Sequence, residues 1–306
     1  MSKLEKVAHI KDTAGGFVAG IMGAMAFGFI PIFSKPAVSL GLSPSCILFY
    51  RFFISTIILG VIFLIQGKSV KISLKCLPSM ILTSIFYCFS SGLLVMGYKY
   101  MSGGVTGIIH FTYPIFIMII LVIFFREHIR KSSIIAILFA LAGIYCLGIL
   151  GGTESFIPGT NKVAGILIVL ASGLACASYM ICVNKTEAHK LSSLLLTFWL
   201  LLISAVIFGI LALADGELVL VTDAPTIVNF IGLAVVATVL ANFLLVYSIK
   251  HIGSTLAGIL GAVEPATAVI GCIIVFGESL TLPIAFGIVM IFVSVGIVIM
   301  RNGVKH

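Results

Sequence analysis

Charged residues are scarce in this chain of 306 residues. Lys, Arg, Asp and Glu make up 9% of it and apolar residues 61%, with a mean hydropathy of +1.29. A soluble domain is about half apolar and about a quarter charged. Because a water-facing fold of this size cannot bury so much apolar surface, the composition excludes an ordinary soluble domain. It predicts that lipid is the main solvent of the protein.

Motifs of several functional classes are absent as well. The sequence has no GxxxxGK[ST] loop for ATP, no HExxH or GxSxG segment, and no polar stretch long enough for a soluble domain. The seven cysteines form no CxxC pair and have no histidine cluster beside them. They therefore resemble small apolar residues rather than disulfide partners or metal ligands. We expect no enzyme activity, no cofactor and no metal site.

The basic residues are unevenly distributed between the polar loops. The net charge of +8 is by itself compatible with nucleic-acid binding. The lysines and arginines, however, collect in alternate loops, and the other set of loops holds only Lys35, Lys99 and Lys162. Cytoplasmic loops of membrane proteins carry this excess of positive charge. We therefore expect both termini in the cytoplasm, a location in the cell membrane and no nucleic-acid partner.

Apolar runs of about 20 residues recur along the chain, and each can cross a hydrocarbon core of about 30 Å. They predict an all-α integral membrane protein with ten transmembrane helices, the first of them a retained helix rather than a cleaved signal. Residues 1–14 and 301–306 are predicted cytoplasmic tails, and 151–162 an extracytoplasmic linker. The predicted helices are 15–34, 45–66, 77–98, 103–125, 132–150, 163–183, 191–213, 226–249, 253–276 and 281–300.

The two halves of the chain resemble each other. The segment SGGVTGIIHFTYPIFIMIILVIFFREHI (102–129) aligns with GSTLAGILGAVEPATAVIGCIIVFGESL (253–280). At an offset of 151, Pro114 matches Pro265 and Glu127 matches Glu278. Five helices per half is an odd number, so the second half enters the membrane from the opposite side. The pattern predicts two inverted five-helix repeats, 15–150 and 163–300, around a central cavity.

Ten helices, two similar halves and the paired proline and glutamate positions resemble the EamA family of the drug/metabolite transporter superfamily. The resemblance extends from about Gly15 to Met300. It implies an inverted-repeat bundle that moves small organic solutes through a central cavity. The family covers amino acids, amines, nucleosides, sugars and drugs, so the resemblance does not name the substrate.

Glu264 is the acid that stands out, because it lies near the middle of the ninth predicted helix, directly before Pro265. A charged group at that depth costs several kcal/mol unless it is paired, hydrated or protonated. Two interpretations stay open. The carboxylate faces the cavity and binds a cation or exchanges a proton, or it is a hydrogen-bonded acid that fixes the bend at Pro265. The family resemblance favours the second, since an acid before this proline is a common EamA feature.

Two further candidates lie in the fourth predicted helix. Tyr113 occupies the repeat position of Glu264, and a phenol beside a carboxylate can hold an amine by charge and cation–π contact. His110 lies one turn before Pro114 on the same side of the helix, where it can relay protons or bond across helices. For both residues, a packed side chain with a satisfied polar group is the alternative.

Four weaker candidates complete the predicted site. Arg51 lies about 9 Å inside the second helix, where it can bind a substrate carboxylate or extend back to the interface. Trp199, the single tryptophan, is placed midway along the seventh helix, which favours a cavity wall over an interfacial position. Tyr179 and Asn242 are candidates for the cavity or for interhelical hydrogen bonds.

Two features are interpreted as packing or capping rather than chemistry. Gly16, Gly20, Ala24 and Gly28 recur every four residues, which predicts a face that another helix approaches closely. Pro31 and Pro36 are expected to bend or end the first helix. Glu127 and Glu278, at the ends of the fourth and ninth helices, are expected to act as caps or ion-pair partners.

The expected function is secondary active or facilitative transport of an amino acid or amine-like metabolite by alternating access, with export the favoured direction on the family resemblance. The partners are the substrate, the bilayer and, if transport is coupled, protons; one inverted pair per chain suffices for a monomer. A multidrug or lipophilic-cation exporter and a choline-like cation importer stay open. A membrane enzyme would need clustered polar groups and a channel would need a polar ring, and the sequence indicates neither.

Overall fold

Helices form most of the part of the chain that the structure describes. The computed structural model describes residues 3–101, 103–147, 159–277 and 280–302. Glu278, residues 151–158 of the predicted linker and the last four residues of the chain lie outside this description. The first seven α-helices are α1 (Lys3–Gly28), α2 (Ile30–Ser39), α3 (Pro44–Ile65), α4 (Leu77–Gly97), α5 (Gly103–His110), α6 (Tyr113–Phe125) and α7 (Lys131–Tyr145).

The second part of the chain continues in the same way. A short 3₁₀ helix (Glu187–Lys190) connects α8 to α9, and a π-helical segment (Val235–Leu240) lies between α10 and α11. The six α-helices are α8 (Lys162–Lys185), α9 (Ser193–Ala214), α10 (Ala224–Ala234), α11 (Ala241–Leu260), α12 (Val263–Phe276) and α13 (Leu282–Asn302).

The segment Ala224–Leu260 contains two crossings rather than one long helix. Gly253 has φ 83° and ψ 163°, which ends the helical path inside α11. A Cβ atom on Gly20 would meet both Leu260 at 2.6 Å and Ser248 at 2.7 Å. In a straight helix, 12 residues would separate these two by about 18 Å. The chain therefore folds back at Gly253, where the sequence predicts the start of the ninth helix.

Ten helical passes follow from this hairpin, as predicted. Eight helical segments of the described chain are long and apolar enough to cross a membrane. The hairpin at Gly253 divides one of them, and the shorter apolar helix Lys131–Tyr145 supplies another pass. Large apolar side chains such as Leu64 and Phe124 stay exposed on the outer faces, as a lipid-facing surface requires.

The first pass is longer than the sequence predicts, and it is divided into two helices. It begins at Lys3 and so includes most of the predicted tail 1–14, because residues 3–14 contain no proline and are rich in helix formers. The helix then breaks at Phe29, two residues before Pro31, and continues as α2 to Ser39. The predicted bend is present, but Pro36 lies inside α2 rather than ending it.

The small-residue stripe of α1 packs as predicted. A Cβ atom on Gly16 would lie 2.8 Å from Ile252, and one on Gly28 would lie 2.8 Å from the Glu264 carbonyl oxygen. Gly20 meets α11 on both sides of the hairpin, and Ala24 is buried. This approach lets α1 support the backbone that carries Glu264, since no side chain intervenes.

Matching breaks interrupt the fourth and ninth passes. The α5 helix ends at His110 and α6 begins at Tyr113, while α11 ends at Leu260 and α12 begins at Val263. The two breaks are 150 residues apart, close to the offset of the sequence repeat. Each break leaves the first N–H groups of a new helix without an intrahelical partner in the middle of the bundle.

The far ends of α6 and α12 match as well. Arg126 follows α6 with φ 54°, and Gly277 follows α12 with φ 68°; both adopt the left-handed conformation that ends helices. Arg126 is the non-glycine residue with positive φ in the described chain. A shared capping geometry at an offset of 151 extends the correspondence between the halves.

Candidate functional site

Glu264 lies at the break between α11 and α12. It is the second residue of α12, and its backbone N–H donates to the Gly261 carbonyl at 3.0 Å. Among the described residues, the carboxylate forms neither a hydrogen bond nor an ion pair, and the residue is partly exposed. The positive end of the α12 dipole favours a negative charge here. The ninth pass thus carries a half-buried acid whose oxygen atoms are free to accept.

Four groups lie within electrostatic range of this carboxylate. They are the Arg51 guanidinium, the hydroxyls of Tyr98 and Tyr113, and the Cys176 thiol. We call these side chains, together with those that contact them, the central cluster. Arg51 is the cation among these four groups, so the cluster contains charges of both signs.

Arg51 is buried rather than extended to the interface. It is 8% exposed, and its Nε–H donates to Thr238 Oγ1 at 2.8 Å while Nη2 donates to the Ala237 carbonyl at 3.1 Å. Its guanidinium carbon also lies 5.3 Å from the Phe52 ring centroid. Since a guanidinium has five N–H donors, three are left for another acceptor. The interfacial alternative for Arg51 is therefore wrong.

The partner of Arg51 is the π-helical segment Val235–Leu240. A π-turn displaces backbone carbonyls from the regular ladder, and such turns occur often at functional sites. Here the Thr238 hydroxyl donates to the Leu233 carbonyl at 2.8 Å, and Ser55 Oγ lies 3.2 Å from the Ala234 carbonyl. Side chains from α3 and the segment itself thus satisfy the displaced carbonyls and hold Arg51 in place.

Tyr179 and Asn242 carry buried polar atoms without partners. Among the residues that the structure describes, neither the Tyr179 hydroxyl nor Asn242 Oδ1 has a hydrogen-bond partner, although Asn242 Nδ2 donates to the Thr238 carbonyl at 2.8 Å. Tyr87 joins the two: its ring centroid is 5.2 Å from that of Tyr179, and its side chain approaches Asn242. Buried polar atoms are nearly always bonded, so these two oxygen atoms are available to a polar group that enters the cluster.

His110 and Tyr113 lie on the other side of the cluster, and their ring centroids are 5.6 Å apart. Ser172 Oγ donates its one hydrogen to the Ser90 carbonyl at 2.7 Å and lies 3.0 Å from His110 Nδ1. Because that hydrogen is used, His110 Nδ1 must be the donor in this pair and Nε2 is left as an acceptor. His110 is thus held by α8 in a defined tautomer.

Tyr113 joins the fourth and ninth passes. Its hydroxyl donates to the Gly258 carbonyl at 3.1 Å. A Cβ atom on Gly261 would lie 1.9 Å from the same hydroxyl oxygen, so the phenol fits only against a bare backbone. The two repeat positions, Tyr113 and Glu264, therefore lie close together, as the sequence comparison predicts. The hydroxyl itself is used for helix packing.

Trp199 lies apart from the central cluster. It is the seventh residue of α9, and its Nε1–H donates to the Val70 carbonyl at 2.8 Å, in the loop between α3 and α4. The indole thus fixes a loop at the end of the bundle. Its predicted position midway along the helix is wrong, because α9 begins at Ser193 and the tryptophan lies within its first two turns.

Sequence reasoning misses four members of the cluster. Tyr87, Cys176 and Thr238 lie inside apolar runs with nothing in their spacing that marks them. Tyr98 ends α4, where a tyrosine reads as an interfacial residue; it is 45% exposed yet within electrostatic range of both Arg51 and Glu264. Their roles depend on which helices pack together, and a single sequence does not contain that information.

Two clefts in the structure lie away from this cluster. One, of about 630 Å³, lies between the α3–α4 loop and the connection from α8 to α9. The other, of about 290 Å³, lies beside the α6–α7 loop and the hairpin at Gly253. None of the predicted site residues lines either cleft. In the described residues, no group of three or more His, Cys, Asp or Glu side chains is placed to hold a metal ion.

Comparison with known proteins gives a consistent family assignment. The sequence profile of the EamA-like transporter family matches residues 14–149 and again residues 163–300. Together the two matches cover nearly the whole chain, and the gap between them contains the predicted linker.

Individual relatives are more distant. The chain is 26% identical over 266 residues to an uncharacterized transporter of Archaeoglobus fulgidus, covering 85% of this chain and 90% of that protein. It is 24% identical over 277 residues to the uncharacterized transporter YetK of Bacillus subtilis, covering 88% and 79%. A solved crystal structure superposes with a TM-score of 0.79 at 16% identity, covering 94% of this chain and 97% of that one, which shows a shared fold.

Proposed function

Since the chain belongs to the EamA-like transporter family and is a multi-pass membrane protein, we propose that it moves a small zwitterionic or amine metabolite through the central cluster by alternating access. The observation that carries this proposal is the unpaired Glu264 carboxylate within electrostatic range of Arg51. A structural acid would be expected to use its oxygen atoms within the protein, and Glu264 does not.

The two charges complement the two ends of an amino acid. Glu264 offers an acceptor for an ammonium group, and the faces of Tyr98 and Tyr113 add cation–π attraction. Arg51, held by Thr238, offers its remaining donors to a carboxylate. This arrangement favours a defined zwitterion over a broad set of lipophilic cations, which need a wide pocket with few fixed polar groups.

Alternating access is proposed from the correspondence between the halves. The breaks at 110–113 and 260–263, and the left-handed residues Arg126 and Gly277, support two inverted repeats. The domain boundaries 15–150 and 163–300 and a monomeric state belong to this proposal. The basic loops support cytoplasmic termini, and the family resemblance supports export as the direction of transport.

The test is transport in proteoliposomes, comparing wild type with Glu264→Gln. The panel contains amino acids, the amines that correspond to them without the carboxylate, choline and a lipophilic cation, each with and without a proton gradient. Glu264→Gln is expected to lower transport of the preferred substrate at least 10-fold and to remove any proton dependence. Glu217→Gln, which changes an exposed loop acid in the same way, is expected to transport normally.

The panel also separates the alternatives without altering Arg51. A preference for the amino acid over its amine assigns Arg51 to the substrate carboxylate, whereas a preference for choline favours the cation importer. Unchanged transport by a folded Glu264→Gln protein would contradict the proposal. The acid would then belong to the Pro265 bend, and His110 and Tyr113 would be the next candidates.

A further inference from the structure

A basic cleft opens between the α3–α4 loop and the connection from α8 to α9. Its volume is about 630 Å³, and Lys75, Lys185, Lys190, His189 and Asn184 are among the residues that line it. Because α4 begins at Leu77 and α8 ends at Lys185, the cleft lies where two passes leave the membrane. It is remote from the central cluster and has no part in the transport proposal.

Positive charge exceeds negative charge in this cleft. Glu187 is its one lining carboxylate and pairs with Lys190 at 2.7 Å. Lys185 pairs with Glu127 from the neighbouring loop. Lys75 is exposed, and no hydrogen bond or ion pair engages its ammonium group among the described residues. At least one lysine therefore remains to neutralise an anion.

The pKa of His189 indicates the sign of the electrostatic potential inside the cleft. Burial lowers the pKa of its imidazole, and the positive charges of Lys250 and Lys185 lower it further, against one hydrogen bond to the Val183 backbone that raises it. Cations thus act on His189 in excess of the carboxylates Glu187 and Glu127, which pair with Lys190 and Lys185. An anion placed there would find a favourable potential from more than its direct contacts.

A neutral donor completes the arrangement. The Asn184 amide forms no hydrogen bond within the described part of the chain, so both of its N–H groups are available. Phosphate oxygens accept charge-assisted bonds from ammonium groups and further bonds from amides. Basic pockets between transmembrane helices on the cytoplasmic side are known to hold the head groups of anionic lipids.

From these contacts and charges we propose that the cleft binds a phosphate group, with Lys75, Lys190 and Asn184 as its ligands. The phosphate is carried by an anionic phospholipid or is free in solution. Both sources offer the same tetrahedral anion, and the position at the membrane surface gives the lipid the higher local concentration.

The experiment uses the full chain and two probes. Native mass spectrometry counts the phosphatidylglycerol and phosphatidylcholine molecules retained after extraction from mixed nanodiscs. Separately, inorganic phosphate is titrated in phosphatidylcholine nanodiscs, with chloride at equal ionic strength as the control. The fluorescence of the single tryptophan follows this titration, because Trp199 holds the loop that carries Lys75.

Lys75→Gln is the test variant and Lys71→Gln its matched control, since both are exposed lysines of the same loop and only Lys75 lines the cleft. Lys75→Gln is expected to lower retained phosphatidylglycerol at least threefold, and Lys71→Gln to leave it unchanged. If phosphate gives a saturable fluorescence change in wild type and Lys75→Gln removes it, free phosphate is a sufficient ligand. If Lys75→Gln loses phosphatidylglycerol but wild type shows no response to phosphate, the ligand is the lipid. Equal loss in both variants, or the absence of both a preference for phosphatidylglycerol and a saturable response to phosphate, overturns the proposal.

Discussion

At the scale of single residues, Tyr113 and Gly261 show how closely the two broken passes fit. The phenol is buried, its hydroxyl is bonded to Gly258, and the backbone of Gly261 occupies the space beside it. A methyl group on Gly261 would overlap the hydroxyl oxygen, and the buried ring has little room to move. Overpacking of this kind costs about 1–3 kcal/mol.

Gly261→Ala is therefore expected to destabilise the protein by about 1–3 kcal/mol. Adding Tyr113→Phe should recover most of this loss, because the ring then lacks the overlapping atom. A thiol-reactive dye measures the melting transition, since most of the free cysteines are buried and react when the protein unfolds. Additive losses in the double variant would contradict the close fit.

His189 gives a prediction about pH. Because the folded protein lowers the pKa of this imidazole from its ordinary value of 6.5, the unfolded chain binds the proton more readily. The stabilising effect of the neutral form is complete above about pH 6.5 and is lost as the pH falls below that value. His189→Gln should therefore lose less melting temperature than wild type between pH 8 and pH 5.

Lys185→Gln should also reduce the fall in melting temperature between pH 8 and pH 5, but by less than His189→Gln. It removes one of the positive charges that oppose protonation of His189. Melting curves at both pH values measure the two variants beside wild type. A full wild-type drop in both would show that other groups dominate the acid response.

Single residues differ in how far the sequence predicts them. Glu264 stands out in an apolar run and lies where it is expected, at the break beside Pro265. The position of Arg51 is predicted but its partner is not, because Thr238 is an ordinary polar residue until two helices meet. Trp199 is misplaced because the start of α9 sets its depth and its bond to Val70 depends on the fold of a distant loop.

At the scale of elements, the π-helical segment Val235–Leu240 is a feature that the sequence does not predict. Its six residues read as a regular apolar helix, yet they carry the carbonyl and hydroxyl groups that hold Arg51. The passes themselves are predicted well, since apolar runs set their lengths and Gly253 marks the hairpin. The break between α5 and α6 is not predicted, although Pro114 follows it at the position that matches Pro265.

Thr238→Val tests the π-helical segment. It keeps the side-chain shape but removes the oxygen that accepts from Arg51 Nε and donates to Leu233. Since the buried Nε–H donor of the charged guanidinium is then unsatisfied, we expect a loss of about 1–3 kcal/mol. Transport of a zwitterion should also weaken relative to its amine, because the guanidinium is no longer fixed.

Thr238→Ser is the matched control, since it keeps the hydroxyl and should retain both stability and substrate preference. Thermal melts and paired transport assays measure the two effects. Equal stability of the valine and serine variants would show that Arg51 finds another partner.

At the scale of the whole molecule, the ion pair between Glu127 and Lys185 joins the two halves on the face that carries the basic loops. Glu127 follows α6 and contacts Lys185 at the end of α8. The Lys185 ammonium group also lies 5.9 Å from the centroid of the Phe125 ring. This confirms the expectation that Glu127 is an ion-pair partner near a helix end. Exposed pairs contribute about 0–1 kcal/mol, which is enough to shift a balance between two states by several-fold.

Glu127→Gln is expected to leave the melting temperature nearly unchanged but to open this face more often. The readout is labelling of Cys182, which is buried in the last turn of α8, by a membrane-impermeant maleimide. A two- to fivefold faster reaction is expected, following from the free energy of an exposed pair. Lys190→Gln breaks a pair within one segment and should not change the rate. Unchanged labelling in Glu127→Gln would show that the pair does not hold this face closed.

The bond between Arg51 and Thr238 also has a consequence for synthesis. The two residues are 187 positions apart in the chain, and at about 5–20 residues per second the ribosome needs roughly 10–40 s to make the second after the first. During that interval the guanidinium is in a nascent first half without its acceptors, and a charge inside lipid is costly. We therefore expect α3 to reach its final position only after the eighth pass arrives, so that the first half completes its fold when the second half exists.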